Sequence, residues 1–567
     1  MTNNSILRST LLRCRGAFWS VALFSFFINL LMLTVPIYML QIFDRVIITR
    51  SIDTLIFLTL IAFSALLILA LLEVARSQIL IGISKWLDQS LSGAVLDESL
   101  GLAASTGASS VEGLRDLLNV RMFLTGPGIF PILDAPWTPT FIIIIFLMNP
   151  TLGWLSLLGA ILLFLLGVSS EYFVRGRLLR SNECSIHAMR EAEAAGRNAD
   201  VIQAMGMSPS IVNRWHLNND ETLDLQGNAS SISSYFTAGS KFWRQGLQLG
   251  ILGLGAWLVL AGEITPGVMI AASILMARAL APVEQAIASW NSAISARSAY
   301  QRLKAVLTKK SPRVCGTELP RPKGNINVEN ITFVHHGRDD LALKNVSFEI
   351  EAGEALGLIG PTAAGKSTLA SLLVGIRKPL NGHVRLDGAD IENWAPDKVG
   401  RFVGYLPQKV ELFPTSIKTN IARMGEADDE KLISAAKLAD VHEMILSLPD
   451  GYETVIGDRN ISLSGGQCQR IGLARAVYNQ PNFIVLDEPN SSLDAEGEQA
   501  LIKTIKKLKN LGTTLVIISH RPKVVESVNK ILVLKDGIVE MFGTREEVIP
   551  NYIPRKKPKV PTVSPRF

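Results

Sequence analysis

The chain has 567 residues, 48% of them hydrophobic and only 19% charged, where an average soluble chain carries about 25% charged residues. That length allows several domains, and that composition excludes a disordered, collagenous or coiled-coil protein. The net charge of +6 does not mark a nucleic-acid binder, because Arg555, Lys556, Lys557, Lys559 and Arg566 supply five of those charges from one Pro-rich tail.

Residues 1–16 form an N-terminal segment holding Arg8, Arg13 and Arg15, and then Ala17 to Phe43 runs without a charge. That run is too long for the core of a signal peptide and ample for a membrane span of about 20 residues. Thr54 to Leu72 is a second uncharged run. Ala135 to Ser170 is too long for one span, and Asn149-Pro150-Thr151-Leu152-Gly153 reads as the tip of a helical hairpin inside it. Gln245 to Gly262 and Ile264 to about Trp290 follow, with Thr265-Pro266-Gly267 as the turn between them. Six such runs exceed what a soluble core hides. The expectation is a transmembrane domain over 17–305 with helices at about 17–43, 54–73, 126–148, 152–172, 243–262 and 264–290.

Arginine placement sets the orientation. Arg8, Arg13 and Arg15 precede the first span, and Arg175, Arg177, Arg180, Arg190, Arg197 and Arg214 lie between the fourth and fifth. Only Arg45 and Arg50 run against the pattern. Both termini and the long connections 74–125 and 171–243 are therefore expected in the cytoplasm, with the helices prolonged there as stalks. Asp134, Arg278 and Glu284 fall inside apolar runs. They either line a polar pathway or sit on helix ends that protrude into water.

Residues 306–324 form a basic, Pro-rich linker. From 325 to 548 the pattern alternates strands and helices, an α/β domain, and 549–567 is the basic tail. Cys14, Cys184, Cys315 and Cys468 lie far apart, which suits neither a disulfide framework nor a zinc site. The buried strand Ala355–Ile359 leads into Gly360-Pro361-Thr362-Ala363-Ala364-Gly365-Lys366-Ser367-Thr368 and then an apolar helix. This is a P-loop in its confirming context, with backbone N–H groups for phosphates, Lys366 for the β- and γ-phosphates and Ser367 for Mg²⁺. Phe483–Leu486 is a second buried strand, ending in Asp487 and Glu488. Asp487 suits the metal, and Glu488 can take a proton from an attacking water. ATP and Mg²⁺ are the expected cofactors.

Leu463-Ser464-Gly465-Gly466-Gln467, 20 residues or so before Asp487, is similar to the signature of ATP-binding cassette (ABC) proteins. Gln408, Asp494 and His520 stand where that family has its other nucleotide-site elements. The resemblance implies that Gln408 senses the γ-phosphate and joins Ser367 and Asp487 around Mg²⁺. It implies that His520 holds Glu488 and the γ-phosphate in place, and that Ser464, Gly465, Gly466 and Gln467 cap the nucleotide of the opposite subunit. The aromatic that usually stacks on adenine corresponds here to His335 or His336, and Ala363 stands where many cassettes have glycine.

Six spans ahead of one cassette resemble an exporter half-transporter. Val35-Pro36 to Asp44-Arg45-Val46, Asp134-Ala135-Pro136-Trp137, Ala204-Met205-Gly206-Met207 and Arg278 to Glu284 resemble type I secretion permease/ATPases of the PrtD family. A lipid or drug exporter shares the architecture, and so does a cassette-gated channel or sensor. The PrtD resemblance implies a homodimer in the inner membrane of a Gram-negative bacterium. It also implies a periplasmic membrane-fusion adaptor, a TolC-like outer-membrane channel and a secreted protein cargo read through its C-terminus. With about 16 residues before the first span, no leader-peptidase domain is expected.

Overall fold

The computed structural model describes residues 6–106, 112–126, 128–308, 320–335, 340–394, 396–457 and 463–552. His336, Cys315 and the basic tail beyond Tyr552 lie outside these residues. The chain divides into a helical unit up to residue 310 and an α/β unit after it.

In the helical unit, α1 spans Arg15–Leu31 and is followed by Thr34–Gln41 and a π-helical turn, Ile42–Val46. Then come α2 (Ile52–Thr106), α3 (Glu112–Thr125), α4 (Thr138–Met148), α5 (Pro150–Arg197), α6 (Ser208–Leu260) and α7 (Pro266–Thr308). Helix α5 has 48 residues, about 72 Å at 1.5 Å per residue, more than twice the ~30 Å of a hydrocarbon core. The apolar run thus occupies one part of the helix, and polar residues carry it onward.

Among the described residues, five helical stretches are long and apolar enough to cross a membrane. The expected span at 243–262 falls in α6, which is not one of the five. Its last residues are diluted by Arg244, Gln245, Gln248 and four glycines. The expected span at 126–148 is not one uninterrupted α-helix. Phe130–Asp134 passes into a 3₁₀ turn, Ala135–Trp137, before α4. Pro131, Pro136 and Pro139 each remove a backbone donor there.

Two joints position these helices. Asn149 is extended, and its side chain accepts from Thr151 N (2.9 Å) and Leu152 N (3.3 Å), starting α5 with Pro150 in its first turn. Asp44 crosses from the π-helical turn to the start of α7, accepting from Thr265 Oγ1 (2.6 Å) and Gly267 N (3.0 Å). A Cβ on Gly267 would sit 2.4 Å from Asp44 Oδ1, so only glycine admits this cap.

Asp134 and Glu284 both find partners within the unit. Arg76 of α2 donates to Asp134 Oδ1 (3.3 Å) and Ser25 Oγ (3.0 Å), and Asn29 Nδ2 donates to the same Oδ1 (3.0 Å). The Arg76 guanidinium lies 4.5 Å over the Phe130 ring. Glu284 pairs with Arg244 at 2.6 Å. Arg278 is exposed in the single chain.

The α/β unit holds two sheets. One contains β1 (Ile326–Val334), β2 (Leu341–Ile350), β4 (Asn381–Leu386) and β5 (Ala389–Asp390), in the order β2-β1-β4-β5. The other contains β3 (Ala355–Ile359), β6 (Val403–Leu406), β7 (Phe483–Asp487), β8 (Thr514–Ile518), β9 (Lys530–Lys535) and β10 (Ile538–Thr544), in the order β10-β9-β3-β8-β7-β6. Strands β9, β3, β8, β7 and β6 are mutually parallel, and β3, β7 and β8 are buried at every residue. Such a sheet brings strand carboxyl ends to one edge, where ligands bind.

The Arg76–Asp134 pair gives a stability test, because the two side chains are only 8% and 15% exposed. Asp134→Leu leaves Arg76 without its countercharge and is expected to cost about 3–5 kcal/mol. The double change Arg76→Met with Asp134→Leu should recover most of that loss. Thermal unfolding of the detergent-purified variants measures both, and a double variant no more stable than Asp134→Leu would contradict the pairing.

Candidate functional site

Four parallel strands deliver the site. Strand β3 ends at Ile359 and turns through Gly360–Gly365 into α8 (Lys366–Leu373). Strand β6 leads to Pro407-Gln408, β7 carries Asp487 at its end and Glu488 next to it, and β8 leads to Ser519-His520. Thr362, Ala363, Gly365, Lys366, Ser367, Thr368, Gln408, Glu488, His520 and His335 line one cleft of about 390 Å³. Residues up to 185 positions apart in sequence thus share a wall.

The loop is shaped by left-handed backbone. Gly360 (φ +152°) lies against Leu534 O, and Gly365 (φ +99°) lies against Leu343 and Ala342 O. Ala363 adopts φ +66°, a conformation that costs an L-residue roughly 1–2 kcal/mol. The alanine at this unusual position therefore keeps a glycine-like geometry. Glu488 is also left-handed, at φ +48°, and its backbone N–H donates to Ile518 O (3.0 Å).

The charges are incompletely satisfied. Lys366 Nζ donates to the carbonyls of Gly360 and Pro361, both at 2.8 Å, and burial lowers its pKa. Burial raises the Asp487 carboxyl, while the neighbouring Ser367 hydroxyl pulls it down. Asp487 Oδ1 is buried without a hydrogen-bond partner among the described residues. An orphaned carboxylate oxygen beside a hydroxyl is a donor set for a hard cation such as Mg²⁺. Tyr405, on β6, is pushed up to about 12 by burial and then by Asp487. Gln408 Nε2 donates to Glu488 Oε2 at 2.9 Å.

His335 is held at both ring nitrogens. Arg377 Nη1 lies 2.8 Å from Nδ1, and Thr368 Oγ1 lies 3.3 Å from Nε2. A guanidinium can only donate, so Nδ1 carries the lone pair and Nε2 the proton. The ring stands edge-on to Phe333 at 5.2 Å, and Arg377 lies 5.7 Å over the same Phe333.

The structure does not bring every expected residue to the cleft. Ser464 caps α9 (Gly465–Val477), accepting from Gln467 N (3.3 Å) while Gln467 Oε1 accepts from Ser464 N (2.8 Å). Asp494 caps α10 (Ala495–Asn510), accepting from Gly497 N (2.8 Å). Ser464, Gly465, Gly466, Gln467 and Asp494 are absent from the cleft lining.

Gln469 was not anticipated from sequence. It is 3% exposed, its Nε2 donates to Glu488 O (3.1 Å) and Ser491 Oγ (3.2 Å), and its Oε1 accepts from Ser492 N (2.9 Å). It ties the signature helix to the turn that carries Glu488. A second glutamine two places after Gln467 was the available signal.

The family description ABC transporter matches residues 343–491, and ABC transporter transmembrane region matches 18–283. The chain is 41% identical over 541 residues to the type I secretion system ATP-binding protein PrsD of Rhizobium meliloti (strain 1021), covering 94% of this chain and 93% of that one. This chain belongs to the ABC transporter family. It is also 30% identical to the leukotoxin translocation ATP-binding protein LktB of Mannheimia haemolytica, over 95% of this chain and 77% of that one. The structure of a bacterial Atm1-family ABC exporter with ATP bound matches with a TM-score of 0.80 at 21% identity, covering 95% and 96% of the two chains. The fold is that of an ABC exporter. The expected resemblance, read from Leu463–Gln467 and the P-loop, is thus met across the transporter, an ATPase coupled to transport.

The His335 geometry is tested on this transporter by a mutant cycle. If His335 serves as the platform for the nucleobase, Arg377→Ala should raise the KM for ATP several-fold with little change in kcat. In a His335→Tyr background, whose ring needs no tautomer fixed, Arg377→Ala should then have no effect on KM. Equal KM changes in both backgrounds would separate Arg377 from the nucleotide.

Proposed function

We propose that this ABC transporter is the inner-membrane motor of a type I secretion system, a homodimer that uses ATP to export unfolded protein. The observation that carries this reading is the end-to-end likeness to a type I secretion ATP-binding protein, 41% identical across 94% of this chain.

In this reading the backbone N–H groups of Gly360–Thr368 receive the phosphates at the start of α8. Lys366 exchanges its carbonyl partners for phosphate oxygens. Ser367, Asp487 and Gln408 would hold Mg²⁺, which offsets phosphate charge when bound. Glu488 takes the proton of the attacking water, and His520 and Gln408 keep its carboxylate in place. His335 contributes to the nucleobase side of the cleft.

Two features support a second copy. The cleft lacks the signature residues, which present a capped helix N-terminus elsewhere on the same unit. A partner chain supplies that cap, with Ser464, Gly465, Gly466 and Gln467 over the nucleotide and Asp494 stabilising the adjoining turn. Arg278 is exposed twelve residues into α7, and a charge at such depth does not rest against lipid. A dimer gives it an aqueous or protein neighbour. The arginine distribution supports a cytoplasmic position for both termini and the α/β unit.

A type I motor works with a periplasmic membrane-fusion adaptor and a TolC-like outer-membrane channel. Co-expression of motor, adaptor, channel and a cargo protein in a Gram-negative host tests this. Cargo should reach the medium only with all components present and with the cargo's C-terminal segment intact. Export without the adaptor would favour a lipid or drug exporter.

Glu488→Gln tests the chemistry separately. It keeps the side-chain shape and the Gln408 contact but removes the base, so ATP should bind while turnover falls about 10²–10⁴-fold. Retention of the parental ATPase rate in purified dimer would reassign the base.

A further inference from the structure

A cavity of about 270 Å³ between α3, α5 and α7 and a second of about 380 Å³ between the end of α3 and α7 share Asn119 and Ser295. The shared residues make them one groove along α7. Neither cavity includes a residue of the ATP cleft, and no role assigned so far uses them.

The charges lining the groove cancel. Glu112, Asp116 and Glu193 face Arg115, Arg190 and Arg302, three acids against three bases. Two pairs are already closed. Arg302 grips Asp116 with Nε and Nη2 at 2.9 and 2.6 Å, and Arg190 holds Glu112 Oε1 with Nε and Nη2 at 2.8 and 2.6 Å. The remaining charged residues, Arg115 and Glu193, are one of each sign. A phosphate, nucleotide or nucleic acid would find no surplus positive charge here.

The rest of the wall is uncharged and mixed. Asn119, Asn182, Ser185, Asn291, Ser292 and Ser295 line it, each able to donate and accept, interleaved with Met122, Phe123, Ile186, Met189 and Ala296. Asn291 Oδ1 is buried with no partner among the described residues, an acceptor that an N–H would satisfy. Such a lining, polar groups beside apolar patches with no surplus charge, suits a polypeptide, whose alternating N–H and C=O groups meet the polar residues while its side chains meet the apolar ones. Along α7 from Asn291 to Arg302 the groove runs about 16 Å, the length of about five extended residues.

We propose that this groove binds an extended, net-neutral stretch of polypeptide through its main chain, and so is the surface on which cargo is held by the helical unit. The proposal rests on the reading of the chain as a protein exporter. Main-chain recognition makes the site tolerant of sequence, which matches the task of passing a whole unfolded chain.

The test uses the full-length transporter in nanodiscs. The probe is a net-neutral 12-residue peptide of Gly, Asn, Ser, Asp and Lys with one benzophenone group. Its N-methylated counterpart and a benzophenone phosphatidylcholine are the comparisons. Photolabelling mapped by mass spectrometry should fall on α3 and α7 around Asn119 and Asn291–Ser295. The N-methylated peptide, which lacks main-chain donors, should label at least tenfold less. Asn119→Leu with Ser295→Leu should reduce labelling at least tenfold, while Asn119→Gln with Ser295→Thr, which keep the hydrogen-bonding groups, should retain it and control for folding.

Equal labelling by the N-methylated peptide, labelling of the groove by the lipid probe, or no peptide labelling there would overturn the proposal. Adaptor-dependent protein export alongside an unlabelled groove would remove this site and leave the type I reading standing. Labelling as expected without adaptor-dependent export would remove the type I reading and leave the peptide site.

Discussion

Asp487 sits at the end of a strand buried at every residue, with one carboxylate oxygen that no group among the described residues satisfies. Burial opposes its charge, and the chain supplies only the Ser367 hydroxyl and the Lys366 ammonium nearby to favour it. The nucleotide site is built around this deficit. Lys366, buried too, spends its donors on two carbonyls, and Glu488 is held in a left-handed conformation with Gln408 on its carboxylate. Left-handed residues at such a place store about 1–3 kcal/mol of strain that the surrounding structure must over-determine. The Ile518 carbonyl, Gln408 and Gln469 are the parts that do so.

The P-loop was legible because glycine spacing between a buried strand and a helix has few backbone solutions. Asp487 and Glu488 were legible for a similar reason, as two acids closing a wholly apolar strand. Gln469 was not, because its partners Ser491 and Ser492 are more than twenty residues away and meet it only through tertiary packing. The same holds for Arg377 on His335, 42 residues apart, and for Arg76 on Asp134, 58 apart. Periodicity and motif spacing carry information along one element. They are silent about which charges meet across elements.

Helix length was half legible. Apolar runs mark only the part of a helix that lipid requires to be apolar, whereas the helix continues wherever propensity and packing permit. In α5 the uncharged run ends at Ser170 and the helix continues to Arg197. Proline acted in the opposite sense. The expected third span stands as one crossing stretch, Phe130–Met148, but Pro131, Pro136 and Pro139 accompany its passage from a short helix through a 3₁₀ turn into α4. Asp134 lies at that passage, where the Arg76 contact holds the interrupted backbone against α2.

The two units treat charge in opposite ways, and the contrast bears on how the protein works. In the helical unit Asp134, Glu284 and Asp116 each lie in an ion pair with an arginine. Breaking the buried Arg76–Asp134 pair is costly, and the other two, more exposed, join helix to helix at less cost. Beside the ATP cleft a buried carboxylate oxygen of Asp487 lacks a partner among the described residues, and the lysine is parked on backbone carbonyls. A locked pair resists change, whereas an unsatisfied group gains free energy from a ligand that completes it. Nucleotide binding therefore acts where the protein left its electrostatics incomplete.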